Sequence, residues 1–325
     1  MSVRAVGRES NTGNKRRRNE DSFVVAPPLF AVADGMGGAQ AGEVASKLAA
    51  AALRDTDPGS AGGEEHVAAL IQEANRRVYE RSNADPSASG MGTTITAALV
   101  EGTRVTFGHV GDSRAYLLRD GVLEQLTEDH SLVNELLKSG KLSPEEAETH
   151  PQRSVITRAL GTDPDVDVDT FVVEAKAADL FMICSDGLTT MVDDEDILDL
   201  LVRHHDDLDR AAKALVAAAN RAGGEDNITV VAFTISADDG DTVQMSVAGE
   251  DDDTLHGVQS PAPALDTMVV PADEVEAAFL APGSPEALAA VRGEPISPAA
   301  RARLVLAMLA LLALAAVLLI WGLLR

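Results

Sequence analysis

The 325-residue sequence predicts a folded α+β region built on antiparallel sheets with helices packed outside them, then an acidic segment, then one membrane-crossing helix. Three observations carry this. Short β-branched runs alternate with Ala- and Leu-rich helical stretches as far as residue 236, and tight hairpin signals join several of the runs. Helices arrive in pairs between groups of strands. Residues 304–324 hold no charged side chain.

The strand-like runs are 3–8, 22–25, 29–33, 93–100, 104–110, 114–119, 171–173, 180–184 and 228–235. Glu101 with Gly102, and Asp120 with Gly121, are hairpin pairs, and strands joined by hairpins run antiparallel. Helical periodicity covers 42–53, 64–82, 132–139, 194–204 and 208–222. Patterning leaves the strand order open. Residues 237–300 hold thirteen acidic residues against one basic residue, Arg292, with almost no aromatics. Such a composition buries too little surface to offset its ordering entropy and predicts a flexible tether. Residues 304–324, at about 1.5 Å each, span roughly the hydrocarbon core of a bilayer. A soluble helix would show a polar face, and this run has none. Arg301 and Arg303 precede it and only Arg325 follows, so the charge bias keeps the preceding region cytoplasmic. Trp321 suits an interfacial anchor. The expected organisation is a folded domain at 1–236, a tether at 237–300 and a transmembrane helix at 301–325. The location this implies is the cell membrane, single-pass.

With 27 basic and 52 acidic residues the formal charge is -25, which argues against nucleic acid as the main partner. The single cysteine, Cys184, excludes an intramolecular disulfide and fits a reducing compartment. The first ten residues lack the apolar run of a signal peptide.

Four aspartates share one context. Asp21 precedes the strand 22–25. Asp34 ends the run 29–33 and enters Gly35, Met36, Gly37 and Gly38. Asp186 ends the run 180–184 and enters Gly187. Asp226 follows Gly223 and Gly224 and precedes the strand 228–235. Each alone reads as a turn former or helix cap. Together they place carboxylates repeatedly where a buried strand meets a polar turn, which is costly without a cation. Oxygen ligands suit Mg²⁺ or Mn²⁺, and no Cys/His grouping has zinc spacing. Lys15, Arg16, Arg17 and Arg18 stand just before Asn19, Glu20 and Asp21. Alone they resemble a nuclear signal or nucleic-acid patch; beside a carboxylate cluster they suggest an anion site, because arginine grips phosphate oxygens through a planar fork. No glycine loop ends in Gly-Lys-Ser/Thr, and Gln40 stands where a dinucleotide motif needs its third glycine.

At this point the residues resemble the type-2C, metal-dependent Ser/Thr protein phosphatase (PPM) family. The motifs are Arg16 with Asn19-Glu20-Asp21, Ala33-Asp34-Gly35-Met36-Gly37-Gly38, Gly90-Met91-Gly92-Thr93-Thr94, Val110-Gly111-Asp112-Ser113-Arg114, Cys184-Ser185-Asp186-Gly187-Leu188, and Gly224 with Asp226-Asn227-Ile228-Thr229. All six stand in family order, and together they cover roughly residues 3–236. The C-terminal run makes the bacterial membrane-tethered branch, which opposes transmembrane Ser/Thr kinases, the most similar. The resemblance implies a four-layer α-β-β-α sandwich of two antiparallel sheets flanked by helices. It implies Mn²⁺ or Mg²⁺, two per site, with Asp34 bridging them and Gly35 offering its carbonyl. Asp21, Asp186 and Asp226 would complete the shells, Glu20 would act through water, and Asp112 with Asp186 would form a weaker third site. Arg16 would hold the phosphate of a phosphoserine or phosphothreonine protein, and a metal-activated water would attack phosphorus in line, with no phosphoenzyme.

One position departs from the family. Animal relatives carry a histidine where this chain has Met36, so the group that protonates the leaving oxygen is unassigned; metal-bound water comes first and His130 second. Cys184 reads as a small core residue. Residues 131–153 correspond to the family's flap. Three tether threonines, Thr242, Thr254 and Thr267, each follow an aspartate and precede an apolar residue, a pattern open to phosphorylation, partner docking or chance. The alternatives to a protein phosphatase are a membrane-tethered pseudo-phosphatase binding module and a phosphatase of small phosphoesters.

Overall fold

The computed structural model describes residues 2–37, 41–55, 62–148, 150–236 and 268–269. Gly38, the rest of the tether and the run 304–324 lie outside them. Among the described residues no helix is long and apolar enough to cross a membrane.

Strands β1 (Ser2–Asn11), β13 (Ile228–Ser236), β12 (Leu180–Cys184), β8 (Arg114–Arg119) and β9 (Val122–Gln125) form one sheet, in that order. The other sheet runs β11 (Asp169–Glu174), β7 (Arg104–Val110), β6 (Ile95–Glu101), β3 (Leu29–Ala33), β2 (Ser22–Ala26). Every pairing in both is antiparallel. Two short pairs sit apart: β4 (Gly35–Met36) with β5 (Gly92–Thr93), and β10 (Val155–Ile156) in parallel with β14 (Met268–Val269). The β8–β9 turn is Asp120-Gly121, both at positive φ (52° and 79°), as a two-residue hairpin matching strand twist requires.

Side-chain alternation explains why the central strands read as unbroken apolar runs. In β12, Phe181 and Ile183 face the other sheet while Leu180, Met182 and Cys184 face helices. In β3, Phe30 and Val32 face the sheet interface and Leu29, Ala31 and Ala33 face helices. Both faces are covered, so both must be apolar. The interface between sheets closes on Phe30 stacked against Phe233 at 4.2 Å, with Phe181 against Phe233 at 5.3 Å. Helices α1 (Ala41–Asp55) and α2 (Gly63–Ala84) cover one outer face. Beyond the other sheet pack α5 (Asp186–Thr189), α6 (Asp194–Arg203) and α7 (Leu208–Ala222). Asp193 and Asp207 cap α6 and α7 by accepting N–H bonds from Asp196 and Arg210. The remaining helices, α3 (Leu132–Lys138) and α4 (Pro144–Glu148), belong to the flap.

Gly7 shows how closely α7 lies on β1. A Cβ there would meet the Leu208 carbonyl carbon and oxygen at 2.1 Å, both backbone atoms. Gly7→Ala is expected to cost about 1–3 kcal/mol, at about 2–4 °C of Tm per kcal/mol for a domain of this size. Thermal melts should show that loss while kcat/KM per folded molecule stays at the wild-type value.

Candidate metal centre

The four aspartates of the strand ends meet on one rim of the sandwich. Asp21 stands before β2, Asp34 after β3, Asp186 at the start of α5 after β12, and Asp226 before β13. The first two come from one sheet and the last two from the other, so the cluster straddles the interface between sheets. Asp34 is at its centre, within the electrostatic reach of Asp21, Asp186, Asp226 and Asp112.

Neighbouring hydroxyls and amides fix these carboxylates. Oδ2 of Asp21 accepts bonds from Ser185 Oγ (2.9 Å) and Thr229 Oγ1 (2.6 Å). The Asp34 N–H donates to Thr94 Oγ1, and its carbonyl accepts from the Thr94 N–H and from Thr93 Oγ1. Thr94 Oγ1 also meets Ser113 Oγ at 2.8 Å, which ties Asp34 to the turn carrying Asp112. Asp226 holds Arg16 Nη2 at 2.8 Å through Oδ2 and accepts the Asn227 N–H through Oδ1. Gly35 is buried against the start of α1: a Cβ on it would lie 2.2 Å from the Gly42 carbonyl oxygen and 2.5 Å from that of Glu20. The Glu20 side chain passes the same place, because a Cβ on Gly42 would sit 2.6 Å from its Oε2.

Oδ1 of Asp21 and Oδ1 of Asp186 are buried without a hydrogen-bond partner. An orphaned carboxylate oxygen at that depth is costly unless a cation meets it. The donors are all oxygen, the set a hard divalent cation takes. The residues present therefore fit Mg²⁺ or Mn²⁺. Among the described residues no three Asp, Glu, His or Cys side chains close on a single point. The carboxylates would supply part of a shell, with water and backbone carbonyls the rest, as these cations accept.

Without a cation the crowding appears as proton uptake. Burial pushes Asp21 up to about 6, opposed by the Thr229 and Ser185 hydroxyls. Burial, then the charges of Asp226 and Asp21, push Asp186 up to about 7. Asp34 and Asp112 are held well above the usual carboxylate range, first by burial and then by neighbouring carboxylates. A bound cation reverses the sign of these effects.

Met36 and His130 have structural surroundings. Met36 packs with Ile156 and Ala159, joining the Asp34 turn to β10 and the segment after it. His130 Nδ1 accepts the Gly111 N–H (3.0 Å), its own N–H donates to the Gly111 carbonyl (2.8 Å), and its Nε2 faces Asp169 at 3.1 Å. Both ring nitrogens are thereby engaged, Nδ1 with the Asp112 turn and Nε2 with β11. Ser131, not His130, caps α3. Burial pushes the Cys184 thiol up to about 12, consistent with a core residue.

A family model for protein phosphatase 2C matches residues 15–222. The chain belongs to the protein phosphatase 2C family. It is 43% identical over 249 residues to the serine/threonine protein phosphatase PstP of Mycobacterium tuberculosis, covering 75% of this chain and 48% of that protein. The chain therefore spans about half the length of that curated relative. The serine/threonine phosphatase stp of Listeria monocytogenes is 42% identical over 233 residues, 68% of this chain and 92% of that protein. A crystal structure of the PstP catalytic domain in complex with two manganese ions superposes with a TM-score of 0.66. It is 40% identical and covers 73% of this chain and 100% of that one. Protein phosphatase 2C enzymes depend on Mn²⁺ or Mg²⁺.

Within this protein phosphatase 2C site, some contributors are hard to read in advance. Asn227 ties three segments together: its Oδ1 accepts the Glu20 N–H, and its Nδ2 donates to the carbonyls of Thr12 and Arg18. Ser185 and Thr229 hold Asp21 from the other sheet. All three belong to the motif strings, yet short polar residues beside Gly and Asp look like turn formers. Only the strand pairing reveals what they touch.

Proposed function

We propose that the chain hydrolyses phosphoserine and phosphothreonine on proteins at a two-metal Mn²⁺ or Mg²⁺ centre. The observation that carries this is the set of carboxylates from both sheets with two orphaned buried oxygens and Arg16 beside them. Asp21, Asp34, Asp186 and Asp226, with the Gly35 carbonyl, would hold the two cations; Glu20 would act through water, and Asp112 with Asp186 would serve a weaker third. When bound, the cations lower the pKa of water and polarise the phosphoryl oxygens. Arg16, anchored on Asp226, keeps its positive charge at the rim and orients the phosphate for in-line displacement. Ser185 and Thr229 lock the Asp21 carboxylate and Thr94 holds the Asp34 backbone, so the cluster needs little reorganisation. Met36 carries no proton, and both His130 ring nitrogens are engaged, by Gly111 and Asp169, which leaves protonation of the leaving oxygen to water.

The same reading assigns residues 1–236 to the catalytic domain, 237–300 to a tether and 301–325 to a single-pass membrane anchor. The domain then faces the cytoplasm and opposes membrane Ser/Thr kinases. The uncharged run 304–324 and the arginines before it support this.

Full-length protein should release phosphate from a phosphothreonine peptide with Mn²⁺ and stop with a chelator. At equal concentration, nucleoside monophosphates should be turned over at least about tenfold more slowly than the peptide, because a peptide brings remote binding energy to the reacting centre. Equal turnover of nucleotides would favour a small-phosphoester enzyme. Metal-replete protein inert towards every phosphoester would favour a binding module.

A further inference from the structure

We infer that Lys15, Arg17 and Arg18 form a subsite beside the metal centre that selects phosphorylated residues flanked by acidic side chains. This rests on the phosphatase reading above and narrows its substrate class. Residues 1–236 carry 39 acidic and 23 basic side chains, so the domain's overall field repels an acidic peptide. Against that background four cations stand in consecutive positions immediately before Asn19, Glu20 and Asp21. They divide in two. Arg16 turns inward onto Asp226, with 19% of its side chain exposed. Lys15, Arg17 and Arg18 are exposed around it. Arg18 pairs with Glu43 at 3.6 Å and keeps 51% of its side chain accessible.

The backbone beneath them is tied down. The Gly224 carbonyl accepts the N–H groups of Asn14 (2.7 Å) and Lys15 (3.2 Å), and Asn14 Nδ2 donates to the carbonyls of Asn220 and Gly223. Asn227 Nδ2 donates to the carbonyls of Thr12 and Arg18, both at 2.9 Å. Gly13, at φ 76°, lies so close that a Cβ would meet the Asp226 carbonyl oxygen at 2.1 Å. The basic run is thus fastened at both ends to the segment that carries Asp226. A charge run that served only solubility has no need of such anchoring, whereas a subsite gains from cations held at a fixed distance from the reacting phosphate.

An extended peptide advances about 3.3–3.6 Å per residue. With its phosphate at Arg16, the nearest two or three residues fall within reach of the neighbouring cations. Carboxylates there are attracted, and lysine or arginine is repelled. The chain's own tether holds such a sequence, Glu250, Asp251, Asp252 and Asp253 before Thr254.

The test uses the full-length chain with Mn²⁺ and two phosphothreonine peptides: residues 249–258 phosphorylated at Thr254, and the same peptide with Asp251, Asp252 and Asp253 replaced by Asn. The acidic peptide should have a kcat/KM about tenfold higher at low salt, carried in KM, and the ratio should shrink as salt screens exposed charges. In the triple variant Lys15→Ala, Arg17→Ala, Arg18→Ala the ratio should fall to about one; Arg17→Glu alone should lower it below that of the wild type. A wild-type ratio near one, or a ratio unchanged in the triple variant, overturns the inference while leaving the phosphatase intact. Hydrolysis of neither peptide overturns both. Sedimentation with phosphatidylglycerol vesicles that depends on these three cations, with a peptide ratio of one, would assign the patch to a lipid surface instead.

Discussion

Replacing Asp34 by Asn is expected to lower kcat/KM on a phosphothreonine peptide by at least about 10³-fold while raising the Tm of the chelated protein at alkaline pH, above the point at which Asp34 ionises. The two effects have one origin. Asp34 sits among Asp21, Asp186, Asp226 and Asp112, and without a cation its charge is opposed by every neighbour. A neutral amide relieves that repulsion and keeps the shape. With Mn²⁺ present, the same change removes the carboxylate that in the proposed centre would be shared by both cations, and losing one preorganised charge-stabilising group typically costs about 10²–10³ in rate. A shared ligand should cost more, since a thousandfold loss corresponds to only about 4 kcal/mol. Kinetics at saturating Mn²⁺ and a melt in chelator measure the two sides. Activity within tenfold of wild type, or a lower apo Tm, would show that Asp34 is an ordinary structural residue.

The chelated wild-type protein should lose stability as pH rises to and through about 7, and Mn²⁺ should abolish most of that slope. Asp186 is pushed up to about 7, and Asp34 and Asp112 lie well above the ordinary 3.8. A carboxyl whose folded pKa is raised holds its proton more tightly in the folded chain. Its contribution is therefore complete below the unfolded pKa and is lost as pH rises through the folded one. Each such group contributes a slope of up to about 1.36 kcal/mol per pH unit inside its window. The histidines act in the opposite direction but lower down. His109, pushed to about 3 by burial, and the lowered His130 favour the folded state as pH rises towards 6.5, and they are spent above it. Glu73, lowered to about 2 by its bonds to Arg76 and Arg77, has finished titrating well below the window. Melts across this range with chelator should fall by several degrees, and in Asp34→Asn the fall should be shallower. A flat or rising profile in the chelated wild type would mean the carboxylates are not crowded in solution.

The central strands were legible because burial on both faces leaves unbroken apolar runs, as in Leu180–Cys184 and Leu29–Ala33. The edge strand Val122–Gln125 was not, because only one of its four residues is even partly buried and Glu124 and Gln125 interrupt it. Two-residue pairs such as Gly35–Met36 with Gly92–Thr93 carry no periodicity at all. Helix α5 is hidden for a similar reason: four residues starting at Asp186 read as the turn after a strand. The aspartates of the candidate metal centre stood out as charges ending apolar runs. Their convergence did not, because Asp21 meets Ser185 only through the order in which the two sheets pack. The His130 clamp was equally invisible, since its partners Gly111 and Asp169 lie in other strands' turns and edges.

Counting the metal ions held by the full-length protein tests the two-metal centre most directly. Calorimetric titration of Mn²⁺ into chelator-treated, dialysed wild type at pH 7.5 should show two ions bound, with a weaker third allowed at higher concentration, and Asp34→Asn should lose both of the first two. Wild type that binds no ion, or an Asp34→Asn variant that still binds two with wild-type affinity, would contradict a centre organised around Asp34.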